Sequence, residues 1–128
     1  MVVLKTREEI KRIKDTCWIV ADILDELKVI IEPGIKTSDL DHFAKKLTHQ
    51  HRAKPAFLGY KGYPHTICAS VNDEVVHGFP NNNPLKEGDI ITVDYGALYN
   101  GWYGDAAFTI GVGKISSLSI KLIKTVKE

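Results

Sequence analysis

Along the first quarter of the chain, Ile10, Ile13, Cys17, Val20, Leu24, Leu27 and Ile31 are spaced by three and four residues, a period that puts them on one face of a long helix. Trp18, Ile19, Ile23 and Ile30 widen that line into the broad stripe of a helix packed on a core, rather than the narrow seam of a coiled coil. The start is marked by Thr6-Arg-Glu-Glu9, where hydroxyl and carboxylate can each bond the other's backbone N–H, and the stop by Pro33-Gly34. A second helix is predicted from Thr37 or Ser38, with Leu40, Phe43, Ala44 and Leu47 inward, ending in the polar run His49-Gln-His-Arg52.

Beyond residue 52 the pattern changes from helical spacing to alternation. Thr66–Val71 reads as a strand, and Asn81-Asn-Asn-Pro84 as a loop by its turn chemistry. Asp89–Ala97 and Trp102–Val112 read as two further strands, joined at Tyr99-Asn-Gly-Trp102. Asn-Gly between apolar runs is a strong short-range hairpin signal. The last segment, Ser116 to Glu128, sets Leu118, Leu122 and Val126 on one helical face and carries no capping glycine, proline or asparagine, so a helix cut before its natural end is expected. Apolar surface should remain exposed on this helix and on one face of the hairpin. Helices followed by strands, without repeats, give an α+β class and a single domain over 1–128: long helices packed on an antiparallel sheet.

Composition changes this picture little. Hydrophobic residues make up 44% and charged residues 26% of the chain, as in ordinary soluble proteins, and the net charge of +1 gives no electrostatic reason to expect nucleic acid as a partner. The opening apolar run is too short for a leader, no stretch approaches a membrane span, and Cys17 and Cys68 read as reduced thiols, so a cytoplasmic protein is expected.

The hairpin brings in candidate chemistry. A two-residue turn at Asn100-Gly101 sets Tyr99 against Trp102 and, counting back, Gly96 against Asp105. Asp94, two residues from Gly96, then projects from the same face as Asp105, at a diagonal where side-chain tips meet, with glycine leaving the space between them open. Two converging carboxylates beside the apolar run Ile90-Ile-Thr-Val93 resist joint ionisation unless a cation neutralises them, and a divalent metal does so. The spacing is met equally by two solvated strand-end aspartates. His77, before a glycine in a loop, can reach a substrate or be a surface residue; Tyr60 and Tyr63, between glycines, can wall an apolar pocket or pack in a turn. His42, His49, His51 and His65 show no ligand spacing and are expected to face solvent.

The series Thr6-Arg-Glu-Glu-Ile10, Pro33-Gly34, Thr37-Ser-Asp-Leu-Asp41, Gly59-Tyr60-Lys-Gly-Tyr63-Pro, Cys68-Ala-Ser-Val-Asn72, Val76-His-Gly-Phe-Pro80, Gly88-Asp-Ile90, Val93-Asp94 and Gly104-Asp105 resembles the type I methionine aminopeptidases in order and spacing, from about Lys5 onward. The resemblance implies the amino-terminal half of a pita-bread fold and a metal-dependent removal of initiator methionine. It implies two divalent ions (Co, Mn, Fe or Zn), with Asp94 chelating one and Asp105 bridging both. It also implies His77 beside the scissile bond, and Phe57, Tyr60, Tyr63 and Cys68 around the methionine side chain. The chain departs from many family members at Phe57, where they carry cysteine, and from several at Lys61, where they carry histidine.

In that family the remaining ligands, a histidine and two glutamates, and the glutamate acting as general base lie in the carboxy-terminal half, which this sequence does not include. Two functions therefore stand. One is a methionyl aminopeptidase acting on peptides or nascent chains at the ribosome, monomeric when complete, of which these residues hold part of the site. The other is a catalytically incomplete half-protein that binds peptide or ribosome, or needs a partner chain. Retention of Asp94, Asp105 and His77 favours the first.

Overall fold

The computed structural model describes residues 1–127; Glu128, the end of the final predicted helix, lies outside the described residues. Helix α1 (Arg7–Ile30) begins where the capping box places it. Thr6 Oγ1 accepts from the Glu9 N–H at 3.2 Å and a Glu9 carboxylate oxygen accepts from the Thr6 N–H at 2.7 Å. Helix α2 (Thr37–Gln50) follows, then a short strand β1 (Lys54–Pro55), a 3-10 turn (Tyr60–Gly62), and strands β2 (Ile67–Val71), β3 (Ile90–Tyr99) and β4 (Trp102–Gly111). Helix α3 (Ser117–Lys127) closes the order.

Strand β3 is central. β4 runs antiparallel along its whole length on one edge, while β1 and β2 share the other, β1 against Ala97–Leu98 and β2 against Ile91–Tyr95. The turn is as expected: Asn100 and Gly101 both adopt positive φ (48° and 82°), the primed geometry whose twist suits a two-residue hairpin, and the register pairs Tyr99 with Trp102 and Gly96 with Asp105.

The faces of β3 divide the molecule. Ile91, Val93, Tyr95 and Ala97 are fully buried under α1 and α2, against Val20, Ile23, Leu27, Leu40 and Ala44. Tyr95 carries its hydroxyl into this core, where it meets Thr48 Oγ1 at 2.8 Å, so the polar tip of a buried aromatic is satisfied by the helix it packs on. The opposite face of β3, with Thr92 and Asp94, is only half-buried.

The buried line of α1 differs from the predicted one. Cys17, Ile10 and Trp18 are exposed, and Thr16 is buried in place of Cys17. The cause lies across the interface at Gly104. A Cβ there would come within 3.1 Å of the Cys17 nitrogen and 3.2 Å of the Thr16 carbonyl carbon, so helix and strand touch backbone to backbone. That close approach turns Thr16 inward, and its hydroxyl donates towards the carbonyls of Trp102 (3.2 Å) and Tyr99 (3.4 Å), beside the hairpin turn.

Replacing Gly104 by valine is expected to push α1 off β4 and to destabilise the chain by about 1–3 kcal/mol, the usual range for overpacking. A urea unfolding midpoint unchanged from the parent would show that the contact does not constrain the fold.

Candidate active site

On the open face of the sheet, Phe57, Tyr60, Lys61, Tyr63, Cys68, His77, Phe79, Asp94 and Asp105 line a cleft of about 510 Å³, within the usual range for small-ligand sites. The hairpin supplies the two carboxylates. Asp94 stands opposite Ala107 and Asp105 opposite Gly96, the same-face diagonal that the sequence predicts. The two groups are close enough to share a proton, and burial, then the Asp105 charge and that shared proton, push the Asp94 carboxyl up to about 6, with the His77 charge opposing. One Asp94 oxygen, Oδ1, is buried without a hydrogen-bond partner.

The space beside Gly96 is not open, contrary to expectation. A Cβ on Gly96 would lie 2.8 Å from Phe57 Cε1 and 3.2 Å from Ala56 Cβ. Glycine here admits the Phe57 ring onto the sheet, next to the carboxylates. The Ala56 N–H donates to the Gly96 carbonyl at 2.9 Å, which fixes the segment that carries the ring.

The other wall is built by β2 and its neighbouring loop. Cys68, opposite Asp94 in the β2–β3 ladder, is buried, and burial pushes its thiol up. Tyr63 donates its hydroxyl to the Ile67 carbonyl at 2.8 Å, and its ring meets Phe79 edge-on at 5.2 Å and His65 at 5.8 Å. Burial raises the Tyr63 phenol well above its ordinary value, so it is a neutral donor throughout the working pH range. Tyr60 is exposed on the 3-10 turn, where Lys61 adopts a left-handed φ of 46° between two glycines and sets its ammonium 5.5 Å from the Tyr60 ring centre.

His77 reaches the cleft because Gly78 fits against β2. A Cβ on Gly78 would sit 2.8 Å from the Ser70 Cα and closer still to the Ala69 carbonyl oxygen. Two bonds hold the contact: Ala69 N–H to the Gly78 carbonyl (2.9 Å) and Gly78 N–H to Ser70 Oγ (3.0 Å). His77 itself has a left-handed φ of 58° and an exposed side chain.

All seven residues singled out from the sequence thus line one cleft. Phe79 and Lys61 line it too, although no site role was assigned to either. Phe79 follows the His77-Gly78 pair into the same wall, a placement that alternation along a strand could not indicate because the segment is a loop. His65 and His51, expected to face solvent, are half-exposed and each lies beside a carboxylate. His65 packs on Tyr63 and Phe79 with Nδ1 3.6 Å from Asp41, and His51 sets Nε2 2.9 Å from Asp22. Among the described residues, no three or more His, Cys, Asp or Glu side chains are placed to hold a metal ion together.

Paired carboxylates, one with an orphaned buried oxygen, define a site suited to a divalent cation. Residues 11–128 match the family described as Metallopeptidase family M24, and the chain belongs to that family. It is 44% identical to a methionine aminopeptidase of Clostridium acetobutylicum over 129 residues, covering all of this chain and 52% of that protein. Among solved structures, a methionine aminopeptidase from Rickettsia prowazekii superposes with a TM-score of 0.97 at 33% identity, and one from Thermotoga maritima with 0.95 at 41%; each match covers 99% of this chain and 51% of the other. The resemblance read from the sequence motifs is borne out, and the α+β fold is that of the pita-bread metallopeptidases. The chain spans about half the length of the curated relatives it matches. No helix among the described residues is long and apolar enough to cross a membrane.

The raised Asp94 carboxyl has a pH consequence for the metal-free chain. The folded state holds this proton more tightly than the unfolded chain, whose carboxyl has the ordinary value of 3.8, so stability declines as pH rises from about 3.8 to about 6 and the loss persists above. Asp94→Asn is expected to remove that decline, and a divalent cation to offset it at neutral pH. Parallel pH–stability curves for parent and variant would contradict the assignment.

Proposed function

We propose that this chain forms the amino-terminal part of the catalytic domain of a metal-dependent aminopeptidase, which removes the initiator methionine from peptides and nascent chains in the cytoplasm, at the ribosome. The observation that carries the reading is the Asp94–Asp105 pair beside an aromatic and thiol-lined cleft. The names of the relatives, all methionine aminopeptidases among the best-matching proteins, point the same way.

Asp94 and Asp105 would hold the divalent ions, Co, Mn, Fe or Zn. Bound there, such ions supply a Lewis acid and a water of lowered pKa. The chain's own residues bind and orient. Phe57, Tyr60, Tyr63 and the Cys68 sulfur offer the soft, polarisable wall that suits a thioether side chain. Tyr63, held by its bond to the Ile67 carbonyl, keeps that wall rigid. His77, exposed at the rim, is placed to donate to or accept from a peptide group entering the cleft. Phe57, seated on Gly96, sets an aromatic ring beside the carboxylates.

The half-site reading keeps its own support. Two carboxylates do not make a closed coordination set, and among the described residues no third ligand joins them. The site is completed by residues from outside those described, in one chain or in two.

Titration of the 128-residue chain with Mn, followed by electron paramagnetic resonance, tests the reading. Weak binding is expected that Asp94→Asn or Asp105→Asn abolishes, with no methionine released from a Met-Ala peptide by the monomer. Mn binding indifferent to both substitutions would overturn the metal assignment, and turnover by the monomer would overturn the half-site reading.

A further inference from the structure

Of the charged groups lining the cleft, the carboxylates of Asp94 and Asp105 suit a cation and His77 suits a peptide group, whereas the Lys61 ammonium has no partner of either kind. Lys61 is exposed on the 3-10 turn and makes no salt bridge among the described residues. No aspartate or glutamate occurs between Asp41 and Asp73, so the segment that carries it holds no acid of its own. Its ammonium lies instead 5.5 Å from the centre of the Tyr60 ring, on the aromatic wall of the cleft.

The backbone beneath it is strained. Lys61 has φ 46° and ψ 33°, a left-handed conformation that glycine adopts freely and a residue with a side chain only at a cost. The turn is nevertheless held firmly. The Gly59 N–H donates to the Tyr63 carbonyl at 2.7 Å and the Tyr63 N–H to the Tyr60 carbonyl at 2.9 Å. The Tyr60 N–H donates to the Phe57 carbonyl at 2.9 Å, which ties the turn to the ring seated on Gly96. Burial does not account for a lysine here, because the side chain is exposed. A strained position kept by a lysine at the rim of a cleft points to a use for its head group.

We propose that Lys61 forms a carboxylate subsite at the rim of the cleft, which favours peptides carrying an acidic side chain two residues after the entering one. This deepens the proposed function and rests on it. The cleft is polarised: Asp94 is half-buried on the sheet and Lys61 exposed on the turn, so the floor attracts cations and the rim anions. A cation on the carboxylates offsets the charge of the floor and leaves that of the rim. Side chains of an extended peptide alternate, so its first and third share one side. A first side chain packed on Tyr60 and Tyr63 therefore sets the third on the side where Lys61 adjoins Tyr60. Several members of the family carry histidine at this position, a side chain of pH-dependent charge, so the preference distinguishes this chain from them.

Titration of the isotope-labelled 128-residue chain with Met-Ala-Glu-amide and Met-Ala-Gln-amide, followed through the backbone amide resonances of Gly59–Tyr63 and Asp94, tests the subsite. The acidic peptide is expected to bind about two- to fivefold more tightly, the range that an exposed ion pair gives, and the difference to fade at high salt. Lys61→Met should bring the two peptides level, and Lys61→Arg should keep the preference. Lys61→Gly relieves the left-handed strain, so it should lose the preference while holding or raising the urea midpoint. Met-Ala-Gln with a free carboxyl end identifies the source of the carboxylate. Binding tighter than that of its amide extends the subsite to a chain terminus, and equal binding confines it to the side chain. Equal affinity of the parent chain for the acidic and neutral amides overturns the subsite and leaves the cleft as a peptide site. A preference unchanged in Lys61→Met overturns it as well, and so does a lowered midpoint in Lys61→Gly, which would make the lysine a part of the fold. Cleft resonances that no peptide moves overturn the subsite together with the peptide-binding reading.

Discussion

The site depends on a turn of two residues. Asn100 and Gly101, both at positive φ, fix which residue of β4 lies opposite which residue of β3, and a slip by one would move every side chain of β4 to the other face. In the observed register two separate requirements are met together. Asp105 reaches the open face beside Asp94, and Gly104 reaches the helix face where α1 comes within backbone contact. Each is a steric or electrostatic condition that an adjacent register would break.

Packing on the helix face makes the arrangement on the other face tolerable. Fully buried apolar positions of β3, together with the Tyr95–Thr48 hydroxyl contact, anchor the strand to α1 and α2. The strand can then carry a carboxylate whose burial raises its affinity for a proton and leaves one oxygen unpartnered. An isolated arrangement of that kind is destabilising. It is retained at little net penalty when a cation occupies it, which is the usual physical reason for two carboxylates to converge at a cleft. The metallopeptidase family to which the chain belongs supplies that reason here.

Much of this was legible in the sequence because the signals were local. The Thr6–Glu9 capping box, the Asn-Gly hairpin and the alternation around it each depend on residues within a few positions of one another, and the diagonal of Asp94 and Asp105 follows from them by counting. What could not be read depended on contacts between distant segments. Spacing alone puts Cys17 on the inward face of α1; only the approach of Gly104 shows that Thr16 takes that place. Gly96 reads as open space until a ring from residue 57 is seen to fill it. His65 and His51 lack any ligand spacing, yet each lies beside a helix carboxylate, Asp41 and Asp22 respectively, that is distant in sequence. Loop residues such as Phe79 follow no period at all, and their placement is set by where Gly78 can touch β2.

The two faces of the sheet also differ in how complete they are. The core beneath β3 is closed: its large side chains are buried, and the Tyr95 phenol within it is paired with the Thr48 hydroxyl. Helix α3, by contrast, has no buried residue, and its Leu118, Ile120, Leu122 and Val126 are all exposed. The packing that orders the strands therefore lies on the helix face, and the two carboxylates are held in place by strands anchored from the other side of the sheet.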